Sequence, residues 1–240
     1  MLDEKTLQEI KNLAIKIDWD QAFGGKSKGN KHLLRVTKIA KFLAARVGAD
    51  LKIVEAGALL HDTPLPGGDD SNYQSNKEAV MKVLKDLDLT ATEKEKIAEC
   101  VASHEGTADP KTLEAKVVHD ADALEKAGML GIIRHTWKLT NLQKIDPGNI
   151  NDRTVREILD HLRWRRQRLQ TSLAKRISDY LSVDIKGEEA KQIVSTVAKL
   201  ARQGMITEEI AAAISDRLNK IQREKLKEQL NLRYLQKFKN

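Results

Sequence analysis

Apolar residues recur at helical spacing along almost the whole of this 240-residue chain, and strict alternation is almost absent. Recurrence every three or four residues places those side chains on one face of an α-helix, whereas a half-buried strand would alternate. Glycine and proline number only 13 and 4, so few positions interrupt the helical pattern. The pattern predicts an all-α protein with about nine or ten helices.

Capping residues, glycines and prolines separate the predicted helices. Gly48 ends one helix, Asp50 is placed to cap the next, and Pro64 prevents that helix from continuing far. Thr92, with Glu95 three residues later, is typical of a capping box. The predicted helices cover roughly residues 4–17, 30–47, 50–60, 77–88, 92–104, 112–127, 151–181, 187–203 and 207–237.

Residues 63–76, with the sequence TPLPGGDDSNYQSN, interrupt the helical pattern directly after a His-Asp pair. The segment contains two of the four prolines and many polar residues, so it is predicted to be a long loop. Loops held beside a rigid scaffold often carry specificity. We therefore expect this loop to contribute to whatever the His-Asp pair binds.

The composition is that of a folded protein, with 40% hydrophobic and 32% charged residues. The single cysteine, Cys100, excludes an intramolecular disulfide and a paired-thiol metal motif, which favours a reducing compartment. The N-terminal segment opens with acidic residues and lacks an apolar run, which argues against a secretory signal. No later stretch approaches the roughly 20 apolar residues of a membrane span. We therefore expect a cytoplasmic protein without a membrane segment.

Positive charge is concentrated in the C-terminal part of the chain. Residues 150–240 carry 20 Lys and Arg against 12 Asp and Glu, whereas residues 1–149 carry 22 against 23. Such a surplus has two interpretations, a solvated lysine-rich helix face or a surface that contacts nucleic acid. The solvated face is preferred because it is the commoner origin of such a surplus.

Three histidines, His32, His61 and His104, lie on the apolar faces of predicted helices. A buried imidazole needs a hydrogen-bond partner or a metal, because burying it unpaired costs on the order of a few kcal/mol. Each histidine alone is most simply interpreted as a hydrogen-bonded core residue. Their joint arrangement with nearby carboxylates favours a metal site.

Asp62 directly follows His61 at the end of a predicted helix. Neighbouring side chains at such an end can converge on one ion as the chain leaves the helix. Two imidazoles with two carboxylates suit a borderline divalent ion such as manganese, iron, cobalt, nickel or zinc. Magnesium fits less well, because it prefers an all-oxygen shell.

Four ordered segments resemble the HD superfamily of metal-dependent phosphohydrolases: HLLRV at 32–36, AGALLHDTP at 56–64, ASHEG at 102–106 and EAKVVHDADALEKAGMLGIIR at 114–134. A His-Asp dipeptide alone would carry no information, whereas the ordered set is specific. The resemblance implies an all-α HD-domain helical bundle over residues 1–182. Residues 183–240 would then form an appended basic helical extension.

The resemblance implies that His32, His61 and Asp62 hold the metal together with a distal aspartate, which is either Asp120 or Asp122. The family pattern of an alanine, the ligand aspartate, one further residue and a leucine matches Asp122. Helical geometry favours Asp120, which lies nearer the apolar stripe and about 160° from Asp122 around the helix. We prefer Asp122 and keep Asp120 as the alternative fourth ligand.

Other polar residues beside these motifs have alternative interpretations. His104 is a base for the attacking water, a substrate contact, a ligand to a second metal or a hydrogen-bonded core residue, and His119 is expected at the surface. Arg35 and Arg134 either bind substrate phosphate through their planar guanidinium groups or form ordinary salt bridges to helix carboxylates. Lys28 either draws in an anionic substrate or is simply solvated in its Gly- and Lys-rich loop.

The motifs predict a metal-dependent phosphohydrolase that cleaves a phosphate ester or anhydride of a nucleotide or another small phosphorylated metabolite. In the predicted mechanism a metal lowers the pKa of a bound water, which Asp62 or His104 orients or deprotonates. Oxidative cleavage with iron, which the resemblance also allows, fits less well because further histidines in series are absent.

Two alternatives come from outside this enzyme class. The first is a metal-stabilised regulatory module whose basic helices from residue 150 onward bind nucleic acid or a partner protein. The second treats residues 184–240 as a homo-oligomerisation element, because an apolar stripe ending in Tyr234 and Phe238 could meet another helix. Salt-dependent binding of nucleic acid would distinguish the first, because phosphate contacts weaken steeply with salt.

Overall fold

The computed structural model describes residues 2–67, 70–105 and 108–239, and these form twelve α-helices without a strand. The prediction of an all-α protein is confirmed. The helices are α1 Glu4–Asp20, α2 His32–Val47, α3 Leu51–Leu60, α4 Tyr73–Leu84, α5 Ala91–Ala102, α6 Leu113–Glu125, α7 Gly128–Asn141, α8 Asp152–Gln167, α9 Ser172–Leu181, α10 Gly187–Arg202, α11 Thr207–Ile214 and α12 Lys220–Asn231.

Several predicted helix ends are confirmed by their caps. Gly48 ends α2 with a φ of 78°, a left-handed conformation that glycine adopts without steric cost. Asp50 caps α3, since its carboxylate accepts bonds from the amides of Lys52 and Ile53. The capping box of α5 was predicted two residues too late: it uses Thr90 with Glu93.

The predicted helix over residues 151–181 is two helices, α8 and α9. The break lies at residues 168–171, where the carboxylate of Asp120 accepts bonds from the amides of Gln170 and Thr171. Thr171 in turn caps α9, because its hydroxyl accepts a bond from the amide of Ala174. The prediction was wrong because the carboxylate that binds the break is about fifty residues away in the sequence.

The predicted helix over residues 207–237 is divided in the same way into α11, α12 and short 3-10 turns. Asn219 caps α12 with a reciprocal bond to Gln222, and Leu232 ends it with a φ of 55°. These ends require local conformations that the apolar spacing does not report.

Two hydrophobic cores lie side by side. The first is formed mainly by α1 to α6 and α9, and it also contains Leu232, Tyr234 and Leu235 from the chain end. The second is formed by α7, α8 and α10 to α12. The boundary predicted near residue 183 falls inside this second core, because Met129 and Trp137 pack with residues that follow it.

The apolar stripe near the C-terminus packs mainly on the chain's own cores. Leu226 and Tyr234 are buried, and Phe238 lies against the first core. Ile221 is the exception, with 70% of its surface exposed. Within residues 2–67, 70–105 and 108–239, no helix is long and apolar enough to cross a bilayer.

Helix α3, which leads into His61 and Asp62, packs tightly on α5 at Gly57. A Cβ atom at that position would lie 2.6 Å from Cys100 Cβ, a distance that side chains do not tolerate. Only glycine therefore lets the two helices approach this closely. The contact sets how closely α3 lies against α5, four residues before His61.

Candidate metal centre

Four side chains from three parts of the fold meet inside the first core. His32 is the first residue of α2, His61 and Asp62 follow the end of α3, and Asp122 lies in α6. None of the four is more than 4% exposed. Their convergence in the interior is the central feature of the site.

The ligand atoms lie close enough to share one ion. His32 Nε2 is 3.2 Å from His61 Nε2 and 3.4 Å from both Asp62 Oδ2 and Asp122 Oδ1. His61 Nε2 is 3.4 Å from Asp62 Oδ1 and 3.7 Å from Asp122 Oδ1. Ligands about 2.1 Å from a common ion lie roughly 3.0 to 3.4 Å apart in octahedral or tetrahedral arrangements. The spacing in this cluster is close to that range.

Hydrogen bonds behind the two histidines aim their Nε2 atoms at the cluster. His61 Nδ1 lies 2.8 Å from the carbonyl oxygen of Ala58, so it carries the proton and donates it. His32 Nδ1 lies 2.8 Å from Glu125 Oε2. Partners of this kind fix the tautomer and ring orientation of metal-binding histidines.

The electrostatics of the cluster suit a cation. Burial lowers the pKa of His61 to about 4, so its Nε2 lone pair is free at neutral pH. Burial alone would raise the pKa of Asp62, but His61, His32 and Lys126 hold it well below its usual range. Lys126 and Arg165 do the same for Asp122 against the effect of burial. Both carboxylates are therefore ionised.

One carboxylate oxygen of Asp122 lacks a hydrogen-bond partner. Asp122 Oδ2 accepts a bond of 3.0 Å from Lys126 Nζ and a second from Arg165. Asp122 Oδ1, on the side of the histidines, is buried without a hydrogen-bond partner. Buried polar atoms in native proteins are rarely left without a partner. A divalent cation among the four side chains would supply it, so the residues present fit a metal.

The two aspartates of α6 face different neighbours. Asp120 accepts bonds of 2.7 Å and 2.8 Å from the amides of Gln170 and Thr171 and one of 2.7 Å from the Thr171 hydroxyl. Its carboxylate is therefore occupied at the start of α9. Asp122 points to His32 and His61. The structure thus brings Asp122, and not Asp120, to the cluster.

His104 follows α5 and adjoins the same cluster. Its ring centroid is 5.2 Å from that of His61, and its Nδ1 lies 2.7 Å from the carbonyl oxygen of Val101. His104 Nε2 is buried without a hydrogen-bond partner, 3.9 Å from Asp70 Oδ2. The nitrogen lone pair is thus available on the inner side of the site.

His119 was expected at the surface, and this was wrong. Only 3% of the residue is exposed, and its Nδ1 lies 3.0 Å from the carbonyl oxygen of His104. Helix α6 is buried around its whole circumference from residue 117 to residue 125. A residue off the apolar stripe of such a helix therefore still faces other helices rather than water.

Arg35 lies near the Nδ1 side of His32, where it bonds to the carboxylate of Glu125. Its Nε and Nη2 donate bonds of 2.9 Å and 2.7 Å to Glu125 Oε1, and its Nη1 bonds to Glu208. Glu125 contacts His32 as well, so these residues form a continuous chain of charges. Arg35 therefore forms salt bridges to helix carboxylates, which was the alternative interpretation of this residue.

Arg134 and Lys28 differ sharply in environment. Arg134 is 3% exposed, its Nε and Nη1 lack hydrogen-bond partners, and its guanidinium lies 5.4 Å from the ring centroid of Trp137. Its charge acts on His32, Glu125 and Asp18. Lys28 is exposed in the turn that precedes α2.

Two further groups of residues were missed by the sequence reasoning. Glu125 could have been found, because it lies three residues after Asp122 and therefore on the same side of α6. Glu208 had no local signal. The second group surrounds Glu105, which bonds to Arg165 and to Lys138 Nζ at 3.1 Å. Asp70 joins it through a bond of 2.7 Å from the same ammonium group.

Comparison with known proteins identifies the segment that carries this centre. Residues 30–127 match the model of the HD domain family. Ribonuclease Y of Treponema denticola is 29% identical over 123 residues, which are 49% of this chain and 23% of that protein. Ribonuclease Y of Desulforamulus reducens is 30% identical over 120 residues, 48% of this chain and 22% of that protein. The chain therefore spans less than a quarter of the length of these relatives.

Solved structures share the fold. A crystal structure from Lactobacillus plantarum superimposes with a TM-score of 0.56 at 21% identity, covering 85% of this chain and 98% of that one. Bacillus subtilis YpgQ gives a TM-score of 0.56 at 20% identity, covering 85% and 97%. At these identities the likeness concerns the fold alone.

The matched segment contains His32, His61, Asp62 and Asp122, the four side chains that converge in the first core. It also contains His104 and Glu125. The chain therefore contains an HD domain over residues 30–127.

Proposed function

We propose that this chain is a metal-dependent phosphohydrolase that cleaves a phosphate ester or anhydride with water. The observation that carries the proposal is the buried meeting of His32, His61, Asp62 and Asp122 around Asp122 Oδ1, which lacks a protein partner. The mixed nitrogen and oxygen donors favour manganese, iron, cobalt, nickel or zinc over magnesium. The bound ion would lower the pKa of a water molecule and polarise a phosphoryl oxygen.

The protein's own residues would hold the metal, orient the attacking water and accept its proton. His32 and His61 offer ring-nitrogen donors that are held in place by Glu125 and the Ala58 carbonyl. Asp62 offers an ionised carboxylate that orients the attacking water. His104 Nε2 has a free lone pair beside the cluster and accepts the proton that this water releases.

Two buried cations, Arg134 and Lys126, and the partly buried Lys138 lie near the reaction site and favour a phosphate-bearing substrate. Arg134 has guanidinium nitrogens without partners, which suit the oxygens of a phosphate group. Lys126 and Lys138 add two ammonium groups that are fixed by Asp122, Asp70 and Glu105. Such preorganised charges stabilise a transferring phosphoryl group.

The relatives support a nucleotide or another phosphorylated metabolite as the substrate class. The curated relatives are named as ribonucleases. YpgQ of Bacillus subtilis has also been crystallised in complex with ADP. A ribonuclease acts on RNA and ADP is a nucleotide, so both names refer to molecules in which phosphate is attached to a nucleoside.

The test is to load the purified chain with manganese, cobalt, nickel or iron and to screen phosphorylated metabolites for hydrolysis. We expect turnover that depends on the metal and is lost in the His61→Ala and Asp62→Ala variants. Absence of turnover with every metal and substrate, together with salt-dependent binding of nucleic acid, would instead favour a binding module.

A further inference from the structure

A cavity of about 400 Å³ opens at the boundary between the two hydrophobic cores. Ala123 and Ala127, at the end of α6, line it from the side of the first core. Ile132 of α7 and Ile185, between α9 and α10, line it from the side of the second core. Its volume lies within the range of about 300 to 1,000 Å³ that is common for small-molecule sites.

The cavity is separate from the candidate metal centre. None of the four candidate ligands is among the described residues that line it. Asp122 directly precedes Ala123, but its carboxylate points to His32 and His61 instead. Lys126 lines the cavity, and its Nζ is 3.0 Å from Asp122 Oδ2. The cavity therefore offers a site for a second ligand, which the metal itself does not hold.

Apolar side chains form much of the cavity wall. Leu159 and Leu162 of α8 are half-buried and pack on the second core, as does Val183. Ile132 and Ile185 are almost fully buried. An apolar group that entered the cavity would cover these side chains and remove their surface from water, which favours binding. The wall therefore selects a ligand with an apolar part.

Three exposed cations belong to the same lining: Arg163 and Arg166 of α8 and Lys186 before α10. Each forms a salt bridge to one exposed carboxylate. Such surface pairs are weak, and a guanidinium group has five N–H donors, so donors remain for an added anion. Asp184, which pairs with Lys186 at 3.0 Å, is the acidic residue of the described lining. The lining therefore has a surplus of positive charge.

The hydroxyl group of Ser178 is the second polar feature of the cavity. Ser178 of α9 lines the cavity and is only 3% exposed. No group in the described part of the chain forms a hydrogen bond with this hydroxyl. Arg166 lies close by, because its guanidinium pairs with Asp179, the next residue of α9. Buried hydroxyl groups are rarely left without a partner, so this position suits an oxygen atom of a ligand.

We propose that this cavity binds a small amphiphilic carboxylate, with its carboxylate group between Arg166 and Ser178 and its apolar part against Ile132 and Leu162. A carboxylate has two oxygens, one for the Ser178 hydroxyl and one for the planar guanidinium, which suits that anion well. The apolar part covers the wall at the boundary of the cores. The assignment is independent of the proposed hydrolysis, because it uses none of the candidate metal ligands.

Binding can be measured by calorimetry on the metal-free full chain, with octanoate as the probe. Octanol has an apolar chain of the same length without the charge, and acetate has the charge without the chain. We expect octanoate to bind saturably at one site per chain. Octanol should bind at least about 10-fold more weakly, because it lacks the charge-assisted hydrogen bonds, and acetate should show no saturable binding.

Ser178→Ala and Arg166→Gln each remove one group that is assigned to the carboxylate. Each change should weaken octanoate binding by about 5- to 50-fold and leave the binding of octanol unchanged. Arg153→Gln is the matched control, because Arg153 is an exposed arginine of the same helix that also pairs with a carboxylate but lies outside the lining. It should leave octanoate binding unchanged. Circular dichroism verifies that the three variants fold.

Four results would overturn the assignment. The first is the absence of saturable octanoate binding, and the second is equal affinity for octanoate and octanol. The third is octanoate binding that neither Ser178→Ala nor Arg166→Gln weakens. The fourth is an equal loss in Arg153→Gln, which would show attraction to positive charge in general. An acidic amphipathic peptide that binds through Arg166 while octanoate does not would make this surface a protein contact instead.

Discussion

The guanidinium group of Arg35 pairs with the carboxylate of Glu208, although 173 residues separate them in the sequence. Glu208 Oε1 also accepts a bond of 3.0 Å from the Lys31 amide, directly before His32. On its other side Arg35 bonds to Glu125, which lies 2.8 Å from His32 Nδ1. The start of α11 therefore supports a candidate metal ligand at the start of α2.

This relationship predicts that Glu208→Gln affects both stability and metal binding. The change leaves the buried Arg35 with one carboxylate, so the free energy of unfolding should fall by about 1 to 3 kcal/mol. Metal affinity should fall several-fold. It should fall by about 10- to 100-fold in Glu125→Gln, because Glu125 contacts the ligand itself. Denaturation and metal titration measure the two effects.

The exposed Glu188 of α10 provides the control for this pair of variants. Glu188→Gln removes a surface carboxylate from a neighbouring helix and should change neither quantity appreciably. Unchanged metal affinity in Glu125→Gln would show that the chain of charges does not position His32.

Substitutions at Asp122 and at Asp120 should differ in their effects on metal affinity and on stability. Asp122→Asn should weaken metal binding by more than about 100-fold, beyond the cost typical of residues outside the ligand shell. Asp120→Asn should keep the metal and lose about 1 to 2 kcal/mol of stability, since its carboxylate accepts bonds from the amide and hydroxyl of Thr171, directly before α9. The reverse pattern of metal affinities would make Asp120 the ligand.

Apolar spacing predicted most helices because each packs an apolar face on one of the two cores. It failed over residues 151–181, where Asp120 interrupts the helix from a distant part of the chain. It also misplaced His119, because α6 is buried on all sides and has no solvent face from residue 117 onward. Local periodicity reports neither kind of tertiary contact.

The pH dependence of stability tests the buried carboxylate of Asp18. Burial, assisted by Asp62, raises its pKa from 3.8 to about 6, although Ser27 donates a hydrogen bond to it. The folded state therefore holds a proton between about pH 4 and 6 that the unfolded state releases. Stability from this group must fall as pH rises through that window.

Asp18→Asn removes this titration. In metal-free protein the variant and wild type should differ little in pH dependence below pH 4. By pH 7 the variant should have gained about 3 kcal/mol relative to wild type, from roughly two pKa units at about 1.4 kcal/mol each. Asp20→Asn, at an exposed position beside it, is the control. A difference that stays constant from pH 4 to 7 would contradict the assignment.

The close contact of α3 with α5 predicts the effect of Gly57→Ala. The added methyl group would meet Cys100 Cβ at 2.6 Å and Sγ at 3.1 Å, so the helices must separate. We expect a loss of about 1 to 3 kcal/mol in stability and weaker metal binding, because His61 follows α3 directly. Adding Cys100→Gly should restore part of the metal affinity; full affinity in the single variant would refute the coupling.

The sequence motifs identified the side chains that the fold brings together at His32, His61, Asp62 and Asp122. Each lies in a short segment with its own signature, so local reasoning could find it. The supporting residues differ: Glu208 and Arg165 reach the centre only because α11 and α8 pack back onto it. The stacked pair of His135 and His161 likewise depends on how α7 meets α8.

The central claim is that His32, His61, Asp62 and Asp122 hold a divalent ion, and that the protein uses this ion to hydrolyse phosphate compounds. The most direct measurement is metal content together with phosphate release, on wild type and on a His61→Ala, Asp62→Ala double variant loaded with manganese, cobalt, nickel or iron. The prediction is at least one tightly bound ion and metal-dependent release in wild type, with both lost in the variant. Unchanged metal content in the variant, with no release from wild type under any metal, would contradict it.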